Sequence, residues 1–160
     1  MAGSFSVPPL FNHQVTSIRF LAERRRALDF SDPGTGKTRV EIEDFLGRRQ
    51  RGGKCALVLC PLSLMKSAWA DDIKKYAPNL KVSIAYAKNR EEAFEENADV
   101  YITNHDATKW LAGRKPSFFE RFDTLIIDEI SAFKHHTSQR SKSLGRIVKW
   151  FAFRRGLSGT

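Results

Sequence analysis

A lysine and a threonine behind two glycines, and two adjacent acids much further along, are the residues whose spacing carries the most chemistry in this chain. The first group is Ser31, Asp32, Pro33, Gly34, Thr35, Gly36, Lys37 and Thr38; the second is Asp128 and Glu129 after Leu125, Ile126 and Ile127. Each follows a short apolar run that reads as a buried strand. Both groups are therefore expected on neighbouring strand tips at the carboxyl edge of a parallel sheet, where such folds bind ligands.

The first group suits a polyphosphate. Gly34 and Gly36 let the backbone turn tightly and aim its N–H groups inward, and a helix beginning near Gly36 adds the positive end of its dipole. Pro33, Gly34, Thr35 and Gly36 form the cradle, Lys37 reaches the β and γ phosphates, and the Thr38 hydroxyl binds Mg²⁺. The usual pattern opens on Gly, and Ser31 stands there instead, small enough to be accommodated. In the second group Asp128 is placed to hold Mg²⁺ through its water shell. Glu129 is placed to orient and deprotonate an attacking water. ATP and Mg²⁺ are the ligands these residues predict, with Lys37 and Glu129 as the catalytic pair.

The elements that must position them follow from pattern. At 160 residues and 41% hydrophobic, the chain can bury the core of one domain and hardly that of two. Strand-like runs over Ala27–Ser31, Cys55–Cys60, Val82–Ala87, Val100–Thr103, Leu125–Asp128 and Arg155–Ser158 alternate with helical patterns. The helices are expected over Asn12–Arg24, from the loop to about Gln50, and over Leu64–Tyr76, Arg90–Glu96 and Ser138–Phe151. Such alternation is the sequence form of an α/β fold, a mostly parallel sheet with helices on both faces. Cys55 and Cys60 lie five apart in one strand, so they face opposite ways and do not pair. They read as buried hydrophobes in a reducing compartment. No apolar run is long enough to cross a bilayer and the start lacks a signal-like pattern, which predicts an intracellular protein. His135 and His136 have no partner at metal-ligand spacing.

The formal net charge of +9, with a pI near 9.8, favours an anionic partner larger than a nucleotide. Between Ala132 and Arg155 lie Lys134, Arg140, Lys142, Arg146, Lys149, Arg154 and Arg155 without one Asp or Glu. That stretch is the candidate nucleic-acid face, although basic runs are more often solvated helix surface. Glu91, Glu92, Glu95, Glu96 and Asp99 read as solvent-facing.

Taken in order, the motifs resemble those of the first RecA-like motor lobe of helicase superfamily two, in particular the Swi/Snf-type DNA-dependent ATPases, from about Leu10 to Thr160. Leu10 to Gln14 is similar to the family's adenine-reading element, which implies that Gln14 bonds the adenine edge. Cys60, Pro61, Leu62, Ser63 and Leu64, with Trp69 and Lys75 to Pro78 behind them, resemble its first DNA-contact motif, so Pro61 is implied near nucleic acid. Tyr101 to His105 is similar to the next, in which Thr103 and Asn104 would grip phosphates. Lys134, Arg140 and Lys142 follow Asp128 and Glu129 as the family's basic extension does. Ser158, Gly159 and Thr160 resemble the motif that couples nucleotide state to DNA grip. One departure is Ile130 and Ser131, where the family's box has Ala and His.

The resemblance implies ATP hydrolysis coupled to movement on double-stranded DNA, by a monomeric protein with no membrane partner, in the cytoplasm, or in the nucleus of a eukaryote. It also implies a second lobe that supplies arginine fingers and is not among these residues. The chain stops in mid-turn after its last strand, which predicts a truncated chain, and residues 1–9 read as a tail left by cloning. Two alternatives stand beside this reading: a motor that works on RNA or separates strands, and a non-catalytic nucleic-acid-binding module that keeps the fold.

Overall fold

A computed structural model of the chain describes residues 26–29, 36–135 and 137–157. The expected helix over Asn12–Arg24 lies outside the described residues, as do Gln14, Pro33, Gly34, Thr35, Ser158, Gly159 and Thr160.

Among the described residues six strands form one sheet in which every pairing is parallel: β1 (Arg26–Asp29), β2 (Cys55–Cys60), β3 (Val82–Ala85), β4 (Val100–Asn104), β5 (Phe122–Ile127) and β6 (Phe153–Leu157). Their order across the sheet is β1-β6-β5-β2-β4-β3. Between them run helices α1 (Lys37–Gln50), α2 (Asp71–Tyr76), α3 (Arg90–Glu95), α4 (Thr108–Ala112) and α5 (Gln139–Ile147). The strand order corrects one expectation. The tips of β1 and β5 are not neighbours, because β6 is inserted between them, pairing Asp29 with Leu157 on one side and Ile127 with Gly156 on the other.

Alternation along the central strand divides the core. Leu57 and Leu59 of β2 join Tyr101, Leu125, Ile127, Phe94, Phe119, Leu144, Ile147 and Phe151 on one face. Ala56, Val58 and Cys60 join Ile102, Ile126, Met65, Trp69, Ile73, Ile42 and Phe45 on the other. Both sides of a parallel sheet must be covered, and that is why β2 reads as an unbroken apolar run.

Helix α1 stops where its backbone requires it to. Gly52 adopts φ +91°, and the N–H groups of Gly52 and Gly53 donate to the carbonyls of Arg49 and Arg48 at 3.1 and 2.9 Å. This is the reverse turn that satisfies the last free carbonyls of a helix. A Cβ at Gly53 would come within 2.8 Å of the Arg48 carbonyl oxygen.

The expected helix over Leu64–Tyr76 is three segments: a 3₁₀ turn at Leu62–Leu64, a π-helical stretch at Met65–Ala70, and α2. Likewise the helix expected to run to Phe151 ends at Ile147 and tightens into a 3₁₀ turn over Val148–Trp150. Ser138 caps α5, accepting from the Ser141 N–H at 3.2 Å.

Candidate nucleotide site

The site is built from the ends of parallel elements. Gly36 sits at the N-terminus of α1 with φ 78°, a left-handed conformation that glycine adopts without steric cost. Lys37 and Thr38 therefore open a 14-residue helix whose dipole and first N–H groups face the sheet's carboxyl edge. Lys37 is buried and Thr38 half-buried.

At the tip of β5, Asp128 is held at three points. Its backbone N–H donates to the Leu59 carbonyl at 2.8 Å. Its own carbonyl lies 2.7 Å from Nε2 of His105, so that ring nitrogen carries the proton and donates. The Trp69 indole Nε1–H donates to its Oδ2 at 2.9 Å. Glu129, the next residue, has φ 54°; it is the one non-glycine with positive φ among the described residues. Such a conformation costs of order 1–3 kcal/mol and persists where the surroundings impose it, commonly at functional sites.

His105 is buried, with its ring edge-on to Phe133 at 5.1 Å between centroids. Burial lowers its pKa, opposed by the bond to the Asp128 carbonyl, so the imidazole is kept neutral and its tautomer fixed. Burial also pushes the Cys60 thiol up to about 12, with the Asp128 charge adding to the effect.

The donor set fits magnesium. Among the described residues no three His, Cys, Asp or Glu gather as a self-sufficient metal cage. Mg²⁺ needs none, because it keeps several waters and is held by one or two protein oxygens together with substrate phosphates. Asp128 and the Thr38 hydroxyl are oxygens of that kind at one sheet edge.

Residues 13–159 match the model of the SNF2-related domain. The chain belongs to the SNF2-related domain family. A search of curated proteins found no match. Among solved structures, the chain is similar to the Sulfolobus solfataricus SWI2/SNF2 ATPase core in complex with dsDNA, with a TM-score of 0.77 and 21% identity over 96% of this chain and 32% of that one. It is also similar to the UvsW helicase from bacteriophage T4, with a TM-score of 0.70 and 18% identity over 99% of this chain and 55% of that one. The chain thus spans about a third and about half of these two proteins. The fold is RecA-like, the parallel sheet flanked by helices that these structures share.

Within that family fold the candidate nucleic-acid residues fare unequally. Thr103 is fully buried and its hydroxyl donates to the Ala85 carbonyl at 2.8 Å, so it does not present that group to a phosphate; the end of β4 is packed deeper than its polar sequence suggests. Asn104 is half-buried and its Oδ1 accepts from Arg90 Nη2 at 3.4 Å. Pro61 caps the 3₁₀ turn after β2, leaving Leu62 59% exposed beside it.

The basic run splits as well. Lys134, Lys142, Arg146 and Lys149 are exposed, opposite the buried Leu144 and Ile147. Arg140 pairs with Asp106 at 2.6 Å. Arg155 does not belong to a surface at all: it is buried on β6 with its Nε 3.7 Å from Asp44 of α1, because inward-facing positions of a β-strand alternate regardless of residue type. Asp99, expected in solvent, accepts from the Lys81 N–H at 2.7 Å and pairs with Arg49 at 3.0 Å.

Trp69 and His105 bond Asp128, a role that sequence reasoning did not give them: Trp69 stood in the DNA-contact motif and His105 at the end of the next one, neither with a link to the acids. A signal for either would have needed the strand order, which sets β2 between β4 and β5 and lets His105, just past β4, and Trp69 reach the residue that follows β5.

Proposed function

We propose that this chain is the ATP-binding motor lobe of a Swi/Snf-type translocase on double-stranded DNA. The observation that carries the reading is the shared sheet edge: Lys37 opens α1 behind Gly36, and Asp128 and Glu129 follow β5. The loop 31–35, with Gln14 at the adenine, would complete the pocket.

In this reading the α1 N-terminus and Lys37 balance the charge of the β and γ phosphates. Thr38 and Asp128 would hold Mg²⁺, which supplies neutralisation of developing phosphate charge when bound. Glu129 orients a water in line with the γ-phosphorus and takes its proton. The strained backbone at Glu129 fits a carboxylate whose direction matters more than local stability.

β6 ends between the strand ends of β1 and β5. In this reading Ser158, Gly159 and Thr160, next in the sequence, would pass nucleotide state onward. The exposed bases Lys134 and Lys142, with Arg140 beside them, would contact backbone phosphates without reading sequence. A second lobe would contribute arginine fingers, commonly about 10³–10⁵ in rate, so this chain alone should bind nucleotide and turn it over very slowly.

Glu129→Gln tests the assignment. It should leave ATP binding intact and abolish hydrolysis in the protein that carries both lobes; unchanged hydrolysis would remove Glu129 from its role. Stimulation of that hydrolysis by blunt duplex more than by single strand or RNA supports the duplex reading, and the opposite order replaces it.

A further inference from the structure

Fixing a metal-binding carboxylate requires fixing both its backbone and its side-chain torsions. At Asp128 the backbone is pinned on both sides, by the Leu59 carbonyl on its N–H and by His105 Nε2 on its carbonyl. What remains free is rotation about the side-chain bonds, and there Trp69 Nε1–H holds Oδ2 at 2.9 Å. Oδ1 is the oxygen that this clamp does not hold.

We propose that Trp69 is a positioning residue for Asp128: its indole N–H fixes one carboxylate oxygen so that the other is presented to Mg²⁺ at the nucleotide. This rests on the nucleotide reading above and extends it to a residue outside the motif pair. Trp69 fits the task. It is fully buried and wedged among apolar residues that include Ile73, Val58 and Ile126, so its ring cannot follow a moving carboxylate.

The backbone beneath it supports the same conclusion. Trp69 lies on the π-helical stretch Met65–Ala70, between a 3₁₀ turn and α2. Such turns are rare and recur at functional sites, since they displace a side chain from the direction an α-helix would give it. A buried indole N–H takes some acceptor in most proteins. Here the acceptor is a half-buried carboxylate rather than a carbonyl in the core, and a hydrogen bond to a charged group is about twice as strong as a neutral one.

The experiment measures binding of a fluorescent ATP analogue to the full 160-residue chain across a Mg²⁺ titration, and again in EDTA. Trp69→Phe keeps the aromatic ring and removes the donor. Because that change also shrinks a core side chain, the second variant places 3-benzothienylalanine at position 69, which exchanges the N–H for sulfur at nearly constant shape.

Both variants should raise the half-saturating Mg²⁺ concentration by about tenfold, the scale of a lost hydrogen bond to a charge, and leave affinity in EDTA unchanged. No change in the Mg²⁺ requirement of the benzothienyl variant overturns the proposal, as does a loss of equal size with and without Mg²⁺. Asp128→Asn separates the two levels. If it leaves the Mg²⁺ response intact, the nucleotide reading falls and this proposal with it; if it abolishes the response while the benzothienyl variant behaves like the parent, only the role of Trp69 is lost.

Discussion

The two faces of the sheet are held by different physics. Beneath α3, α4 and α5 the contacts are aromatic: Phe94 stacks on Tyr101 and on Trp110 with centroids 5.3 Å apart in each case, and Phe119 stacks on Trp150 at 5.8 Å. Charges there point outward, as on α5, where Leu144 and Ile147 go in and Lys142 and Arg146 go out. Beneath α1 the pattern inverts. Arg39, Glu41, Asp44 and Arg48 are all buried together with Val40 and Phe45, and Asp44 faces both Arg48 and Arg155. Arg48 Nη2 also donates to Thr124 Oγ1 at 3.0 Å, and its guanidinium lies 4.4 Å from the Phe153 ring centre.

Dispersion and apolar burial tolerate small slides, whereas a desolvated ion pair has one good geometry and a large penalty elsewhere. The helix that begins at Lys37 is thus locked to β5 and β6, while the helix bearing the exposed bases is attached by a surface that forgives adjustment. The half of the molecule that carries Lys37 is the half whose register is specified by charge.

The largest expected effect follows from removing the shared acceptor. Asp44→Ala leaves two buried guanidiniums short of a carboxylate and should destabilise the chain by about 3–5 kcal/mol in urea unfolding. On the other face Ile147→Val removes one methylene and should reduce stability by about 0.5–1.5 kcal/mol. Equal losses would erase the distinction between the faces.

A smaller effect tests the outward charges. Lys142→Ala should change stability by no more than about 0.5 kcal/mol, yet reduce the slope of log affinity for duplex DNA against log salt by about 1. An unaltered slope would make that residue ordinary solvated surface. The smallest effect concerns the two thiols. With Cys60 pushed up to about 12 by burial and by Asp128, its thiolate is scarce at pH 8, and alkylation of the native chain should modify the half-buried Cys55 slowly and Cys60 only on unfolding. Labelling of Cys60 first would show that the face under α1 opens more readily than its packing implies.

The sequence carried much of this because a short apolar run such as Cys55–Cys60, bounded by Gly53 and Pro61, marks a buried parallel strand. It failed where polar side chains are buried with partners distant in sequence. β5 begins at Phe122, three residues before its apolar run, since Asp123 accepts from the Lys54 N–H at 2.8 Å and Thr124 is taken up by Arg48. Arg155 looked like surface for the same reason: Asp44, its partner, sits on another element. The five-residue α4 and the 3₁₀ stretch Pro116–Arg121 are too short to establish a period, and no periodicity distinguishes a π-helical turn from an α-helical one, so the direction of Trp69 was not legible.

The central claim is that the sheet edge between Lys37 and Asp128 takes Mg²⁺-ATP. Calorimetric titration of the chain with ATP, with and without Mg²⁺, measured in parallel on Lys37→Ala, tests it most directly. Saturable binding that strengthens with Mg²⁺ and weakens at least about tenfold in the variant is the predicted result, on the scale of one lost charge-assisted contact. No heat of binding at millimolar nucleotide, or equal affinity in both proteins, would contradict it.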